Sequence, residues 1–286
     1  MTTEYRQRLH HLIAQALQED LGSGDHSTLC CINKEARGTA RLKVKDTGIL
    51  AGVDVAEEVF RHLEPDVVFW PHMHDGDMMK PGDIAFEVEA SVQVILQAER
   101  LALNCMQRMS GIATLTRRYV EKLQGSSTRL LDTRKTTPNF RMLEKAAVKI
   151  GGGTNHRFGL YDMIMLKDNH IDYCGGIARA LDLAHDYVRR NGYDLKIEVE
   201  TRNLNDVEQV LRSGKADIIM LDNFSPASVE EAVKLIAGRM QTEASGGITL
   251  DNIAAYAATG VDFVSSGAII HQAVSLDLSL KAVLQP

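Results

Sequence analysis

The sequence predicts an α/β protein in two parts, an antiparallel sheet with helical flanks followed by a parallel sheet rolled into an incomplete barrel. From about residue 36 to 97, apolar and polar residues alternate in short stretches broken by Gly, Pro and Asp, the pattern of half-buried antiparallel strands. After residue 125, six short apolar runs recur at intervals of roughly 20 to 35 residues with helical segments between them, the spacing of βα units. The composition of the 286 residues, 44% hydrophobic and 24% charged, is that of a globular chain with enough apolar surface for a large core.

The first element is a helix over residues 4–21, with Leu9, Leu12, Ile13, Ala16, Leu17 and Leu21 on one face and Gly22 as its stop. Stretches such as TARLKVKD and AFEVEASVQVIL then supply the antiparallel strands. From Ala98 to Leu123 the spacing is helical again and apolar over much of the circumference, as in a buried connector between two halves. The parallel strands follow as LLDT, YDMIMLKD, LKIEVET, ADIIMLDN, TEASGG and VDFVSSG. Six units fall short of the eight of a full (β/α)₈ barrel, so the barrel is expected to be open. A doubly wound sheet is the alternative, but its first strand would want a Gly-rich turn, and LLDTRKTTP contains no glycine.

Charge and cysteine content exclude several functions. A net charge of −6 disfavours nucleic acid and anionic membrane as partners. No apolar run approaches the roughly 18 residues of a membrane span, and the charged, alternating start does not read as a signal peptide. Cys30, Cys31, Cys105 and Cys174 form no C-x-x-C pair, which points to reduced thiols and a cytoplasmic address. There is no G-x-G-x-x-G and no Walker motif, and the His72–Asp77 stretch reads as a surface turn rather than a metal site.

Each parallel run ends in polar residues, and the carboxyl ends of parallel strands are where α/β barrels keep their active sites. Ser245-Gly246-Gly247 and Ser265-Ser266-Gly267 close the last two strands, where small residues let backbone N–H groups approach a phosphate. Arg134, Lys135 and Lys167 fall at the mouth, where charge is costly unless it meets an anion. Lys145 and Lys149 lie on a helix and read as a solvated face. Glu198 and Glu200 share one face of a strand, and Asp222 ends the next. These carboxylates either hold Mg²⁺ beside a phosphate or neutralise the cationic cluster, and the residues alone leave both readings open.

The run LLDTRKTTPNFRMLEKAAVKIGGGTNHRFGLYDMIMLKDNHI at 130–171, with EDLGSGDHST, QAERLALNCMQRMSGIAT, IEVET, IMLDN and EASGGITLDNI, resembles the quinolinate phosphoribosyltransferase family over nearly the whole chain. The resemblance implies an N-terminal α/β sandwich domain (1–112), a C-terminal open α/β barrel (113–270), and a segment 271–286 packing back on the first domain. It implies transfer of phosphoribosyl from 5-phosphoribosyl 1-pyrophosphate to quinolinate with decarboxylation, giving nicotinate mononucleotide, pyrophosphate and CO₂ in NAD biosynthesis. Mg²⁺ is the implied cofactor, and the implied assembly is a homodimer with shared active sites.

Carried over position by position, Arg100, Arg134, His156, Arg157 and Lys167 would bind quinolinate, while Lys135, Glu200 and Asp222 would be catalytic. Glu200 and Asp222 would also hold the metal. Ser245, Gly246, Gly247, Ser266, Gly267 and His271 would surround the 5-phosphate. Cys105 and Ile270-His271-Gln272 depart from the family pattern, the second of them in the phosphate region. The rival readings are a related barrel acting on another pyridine acid or phosphorylated metabolite, and a non-catalytic sensor. A sensor would have lost a charged residue at the mouth, and every one carried over is present.

Overall fold

The computed structural model describes residues 2–283. The chain forms two compact units, one of residues up to 115, 137–151 and 273 onward, the other of residues 116–136 and 152–272.

In the first unit, α1 (Thr3–Leu21) buries Leu9, Ile13 and Leu17 at helical spacing, with the Thr2 hydroxyl capping it by accepting from the Tyr5 N–H. A short α2 (His26–Cys31) starts at Asp25, which accepts from the Thr28 N–H at 3.1 Å. The sheet begins with β1 (Arg37–Val44), where Ala40, Leu42 and Val44 turn inward while Arg41 and Lys43 face solvent. A minor ladder joins β2 (Gly48–Ile49) to a later two-residue strand. Next comes α3 (Val53–Leu63), inside the stretch that reads as antiparallel sheet in the sequence. Its apolar residues, Val53, Val55, Ala56, Val59 and Phe60, fall at helical rather than alternating spacing, and all are buried.

The rest of the sheet is β3 (Val68–Pro71) and β5 (Ile84–Ser91), with β4 (Met78–Met79) completing the minor ladder. Phe60, Phe69 and Phe86 cluster between helix and sheet with ring centroids 4.4 to 6.3 Å apart. The connector helix α4 runs Val92–Glu121, so it starts six residues before the expected Ala98. The Val-Gln-Val-Ile run that reads as strand is its first turn, an ambiguity inherent to short apolar runs.

The second unit opens with β6 (Arg129–Leu131). The chain then returns to the first unit for α5 (Arg141–Ile150), where Lys145 is 1% exposed and so does not belong to a solvated face. Five further parallel strands follow: β7 (Ile164–Leu166), β8 (Ile197–Thr201), β9 (Ile218–Asp222), β10 (Gln241–Ser245) and β11 (Phe263–Ser265). Helices α6 (Asp168–Cys174), α7 (Ile177–Asn191), α8 (Leu204–Ser213), α9 (Pro226–Ile236) and α10 (Ile253–Ala257) connect them in turn, and a single turn, α11 (Ala268–His271), follows β11.

The strand order is β6-β11-β10-β9-β8-β7, so the first strand pairs with the last and every other pair is sequential. That is the order of a barrel, whereas a doubly wound sheet reverses direction at a switch point. Among the described residues no ladder joins β6 to β7, and the barrel is open there. Leu131 instead bridges Thr154, which lays residues 154–157 along the free edge of β6. The last strand, β12 (Leu278–Val283), pairs with β1 in the first unit, giving the antiparallel order β12-β1-β5-β3. Just before it, Val274 lies so close to α4 that a Cβ on Gly111 would fall 2.1 Å from its carbonyl oxygen.

Candidate active site

The carboxyl ends of the six parallel strands surround a cavity of about 540 Å³ within the second unit. Arg134 and Lys135 enter it from the loop after β6, where the Lys135 N–H donates to the Thr133 hydroxyl at 3.0 Å. Asp132, buried at the end of β6, accepts from the His156 N–H at 2.8 Å and so fixes the segment carrying His156 and Arg157.

Arg157 is 9% exposed. Burial and the positive charge of Arg134 push its guanidinium pKa down, so two like charges share one wall of the cavity. Lys167, after β7, places its Nζ 3.6 Å from the Glu200 carboxylate. Glu200 from β8 and Asp222 from β9 face the same cavity, and both carboxyl pKa values are raised. Burial is the main cause in each, and the negative charge of Asp222 adds to it at Glu200.

After β10 the chain turns through Gly246 and Gly247 at φ of +89° and +63°, conformations that glycine adopts freely. A Cβ on Gly246 would lie 2.2 Å from the Asn223 side-chain oxygen. Asn223 is itself left-handed; its backbone N–H donates to the Ser245 carbonyl and its amide to the Asp222 carboxylate at 2.6 Å. The carboxylate of β9 and the glycine turn after β10 are thereby locked to one residue. Sequence reasoning gave Asn223 no role.

The third region is the end of β11 and the turn after it. Ser265 lines the cavity and shares a 3.0 Å hydrogen bond with the Ser245 hydroxyl. Ser266 is buried, and its hydroxyl donates to the Ile248 carbonyl. Gly267 lies against Lys135, where a Cβ would meet the lysine stem at 3.0 Å, and His271 is exposed beside it. Arg100 is exposed on α4 in the first unit and is not among the residues lining the cavity.

His156, expected among the acid-binding residues, lines the cavity and meets two buried carboxylates, Glu198 and Glu243, of which Glu243 was not foreseen. The His156 Nε2 is 2.9 Å from Glu198 of β8 and 3.2 Å from Glu243 of β10, and its Nδ1 accepts from the Arg157 N–H at 2.7 Å. Burial works against a charged ring, while the two carboxylates favour one. Burial and the Glu243 charge push Glu198 up to about 7. A Glu in the middle of each of two strands that must be buried on both faces was the available signal.

Both parts of the chain match known families. Residues 25–110 match the quinolinate phosphoribosyl transferase N-terminal domain, and residues 112–281 match the C-terminal domain. The chain is 41% identical over 277 residues to the probable nicotinate-nucleotide pyrophosphorylase (carboxylating) of Bacillus subtilis, covering 97% of this chain and 94% of that one. The crystal structure of NadC from Streptococcus pyogenes superposes with a TM-score of 0.88 at 42% identity, covering 95% of this chain and 96% of that one. The nicotinate-nucleotide pyrophosphorylase of Francisella tularensis gives the same TM-score at 37% identity, with 97% of both chains covered.

Proposed function

The chain belongs to the quinolinate phosphoribosyltransferase family, and on that premise we propose that it joins quinolinate to 5-phosphoribosyl 1-pyrophosphate, releasing pyrophosphate and CO₂ and forming nicotinate mononucleotide for NAD biosynthesis. The observation that carries this reading is the closeness of Arg134 to Arg157, two like charges lining a cavity that Glu200 and Asp222 also line. A dianionic acid resolves the first crowding and a cationic reaction centre the second.

Arg134, Arg157, His156 and Lys167 serve the two carboxylates of the acid. The glycine turn after β10, with Ser245 and the Ser266–Gly267 backbone and His271 nearby, takes the 5-phosphate. Breaking the bond from ribose to pyrophosphate leaves positive charge on the anomeric carbon, which Glu200 and Asp222 stabilise from the cavity wall. Lys135 offsets charge on the departing pyrophosphate. The pyridine nitrogen, once it carries ribose, is cationic and stabilises the electron pair left on the ring carbon as the adjacent carboxylate leaves as CO₂, and that carbon then takes a proton from water. Positioning rather than a covalent enzyme intermediate supplies the rate.

Mg²⁺ fits the same pair of carboxylates. Glu200 and Asp222 are oxygen donors on adjacent strands, and burial makes each resist ionisation, as expected of a site completed by a cation. Bound there, Mg²⁺ would neutralise charge on the pyrophosphate.

We further place Arg100 in the site of a second copy of the chain, in a homodimer with shared active sites. Mixing inactive Arg100→Ala and Lys135→Ala proteins should then restore about a quarter of wild-type activity under random assortment, because a mixed dimer keeps one intact site. Among the described residues no helix is long and apolar enough to cross a membrane, and the four free thiols fit a cytoplasmic address.

The decisive assay gives purified protein the phosphoribosyl donor, Mg²⁺ and a panel of pyridine carboxylates. Quinolinate should turn over and nicotinate should not, since the monoacid leaves part of the cationic wall unmatched. Comparable kcat/KM for the two acids would sink the assignment.

A further inference from the structure

A neutral imidazole has one donor nitrogen and one acceptor nitrogen. At His156 the acceptor is fixed, because the Arg157 backbone N–H can only donate and it meets Nδ1 at 2.7 Å. The ring proton therefore sits on Nε2, facing the carboxylate oxygens of Glu198 at 2.9 Å and Glu243 at 3.2 Å. The two carboxylates favour a second ring proton, but that proton would have to sit on Nδ1, donor against donor. The backbone contact decides the tautomer. Neither nitrogen is left over for a ligand.

We propose that Glu198 and Glu243 are positioning residues for the acid substrate, and that His156 acts on that substrate through Arg157 rather than by touching it. The proposal refines the role given to His156 above and rests on that reading of the cavity.

The geometry explains what the group is for. Residues 154–157 lie along the free edge of β6, held by the Leu131–Thr154 bridge and by Asp132 accepting from the His156 N–H. From there the ring reaches the interior of the barrel and meets carboxylates of β8 and β10. In a closed barrel a continuous ladder fixes the distance between strands, whereas this one is open between β6 and β7. The ring and its two carboxylates form a polar strut that ties the open edge to the far strands. The peptide N–H it holds is that of Arg157, whose guanidinium faces the cavity.

Burying two carboxylates, 0% and 1% exposed at the side chain, is costly, and such groups are kept where geometry must be unique. One ligand atom from each of the three residues lies within 4.8 Å of the others, so a metal ion is the competing reading. A metal on Nε2 needs the ring proton on Nδ1 as a donor to a second-shell acceptor. Nδ1 is an acceptor here, which excludes that arrangement.

The test has two arms. In protein labelled with ¹⁵N-histidine, the His156 ring, assigned by its loss in His156→Gln, should show a protonated Nε2 and an unprotonated Nδ1. Saturating quinolinate or added Zn²⁺ should leave that pattern unchanged. A protonated Nδ1, or a shift at either nitrogen on adding the acid or the metal, overturns the proposal, and this arm needs no turnover.

In the kinetic arm, Glu243→Gln keeps an acceptor for Nε2–H and should raise the quinolinate KM by no more than about threefold. Glu198→Met combined with Glu243→Met removes both acceptors and should raise it about thirtyfold, with the KM of the phosphoribosyl donor within about twofold of wild type in both. Equal changes in the two KM values would mark a merely structural group and refute the positioning role. If wild-type protein does not turn over quinolinate at all, the functional reading fails instead, and the tautomer still reports on the strut.

Discussion

The two units handle buried charge in opposite ways. In the first, the buried Glu144 is met by Arg108 through Nε at 3.0 Å and Nη2 at 2.8 Å, and by the Thr137 N–H and hydroxyl at 2.8 and 2.9 Å. Both of its oxygens accept from opposite charge or a donor, which is how a fold accommodates an ion for stability. In the second unit like charges stand side by side: Arg134 with Arg157, and Glu200 with Asp222. Such crowding costs stability in the empty protein and is offset when substrate, metal or transition state supplies the missing sign. The difference separates charge that holds the structure from charge that waits for a ligand.

Asp222→Asn should give the largest effect. It removes a carboxylate whose charge is wanted only as the anomeric carbon becomes cationic, so kcat should fall on the order of 10² to 10³, with quinolinate Kd changed less than about threefold. Its Tm should be unchanged or higher, because a repulsive neighbour of Glu200 is gone. Glu144→Ala should do the reverse to stability and lose roughly 3 kcal/mol in denaturant unfolding, since Arg108 and Thr137 lose their acceptor. Equal destabilisation by the two substitutions would break the comparison.

What the sequence made legible follows the same division. The six parallel strands were visible because strands buried on both faces spell near-continuous apolar runs, and their polar ends were visible because barrels place function there. Helix α3 was hidden because it is short and Val-rich, sitting between two strands with the same vocabulary. Glu243 was hidden for another reason. In TEASGG it stands beside small polar residues, and only the curvature of the sheet brings it to Glu198, two strands away. That the Ser265 hydroxyl meets Ser245 while the Ser266 hydroxyl turns to the Ile248 carbonyl is a matter of which way two adjacent side chains turn, which alternation sets and composition does not.

Asp75 tests the comparison from the first unit. It lies in the turn after β3, accepts from the Val53 N–H at 2.8 Å and so caps α3, yet burial and the Asp54 charge push its pKa up to about 6 against that hydrogen bond. A carboxyl with its folded pKa above its unfolded one binds more protons when folded. Its contribution is therefore most favourable at or below about pH 4 and is lost as pH rises through 6. Asp75→Asn keeps an acceptor for Val53 without the charge, so it should stabilise by about 1 to 2 kcal/mol at pH 7 and by little at pH 4. A gain of the same size at both values would show that the carboxylate is not strained, and that unmatched charge is confined to the second unit.

The smallest expected effect is the sharpest about strain. Asn223 and Ala237 are both non-glycine residues of the second unit with left-handed backbones, at φ of 57° and 51°. Asn223 faces the cavity, and its side chain holds Asp222 and packs against Gly246. Ala237 is the exposed C-cap of α9, a position where a methyl group only crowds the backbone. Ala237→Gly relieves a penalty of about 1 kcal/mol and gives part of it back through the freer unfolded chain, for a net gain of roughly 0.5 kcal/mol, or about 1 to 2 °C in Tm. Activity should not change. Asn223→Gly relieves the same backbone conformation but releases the Asp222 carboxylate, so kcat should drop about tenfold even though Tm does not fall. If Asn223→Gly is as silent as Ala237→Gly, its left-handed turn is a feature of the chain path alone, and the carboxylate of β9 is held by its strand without help.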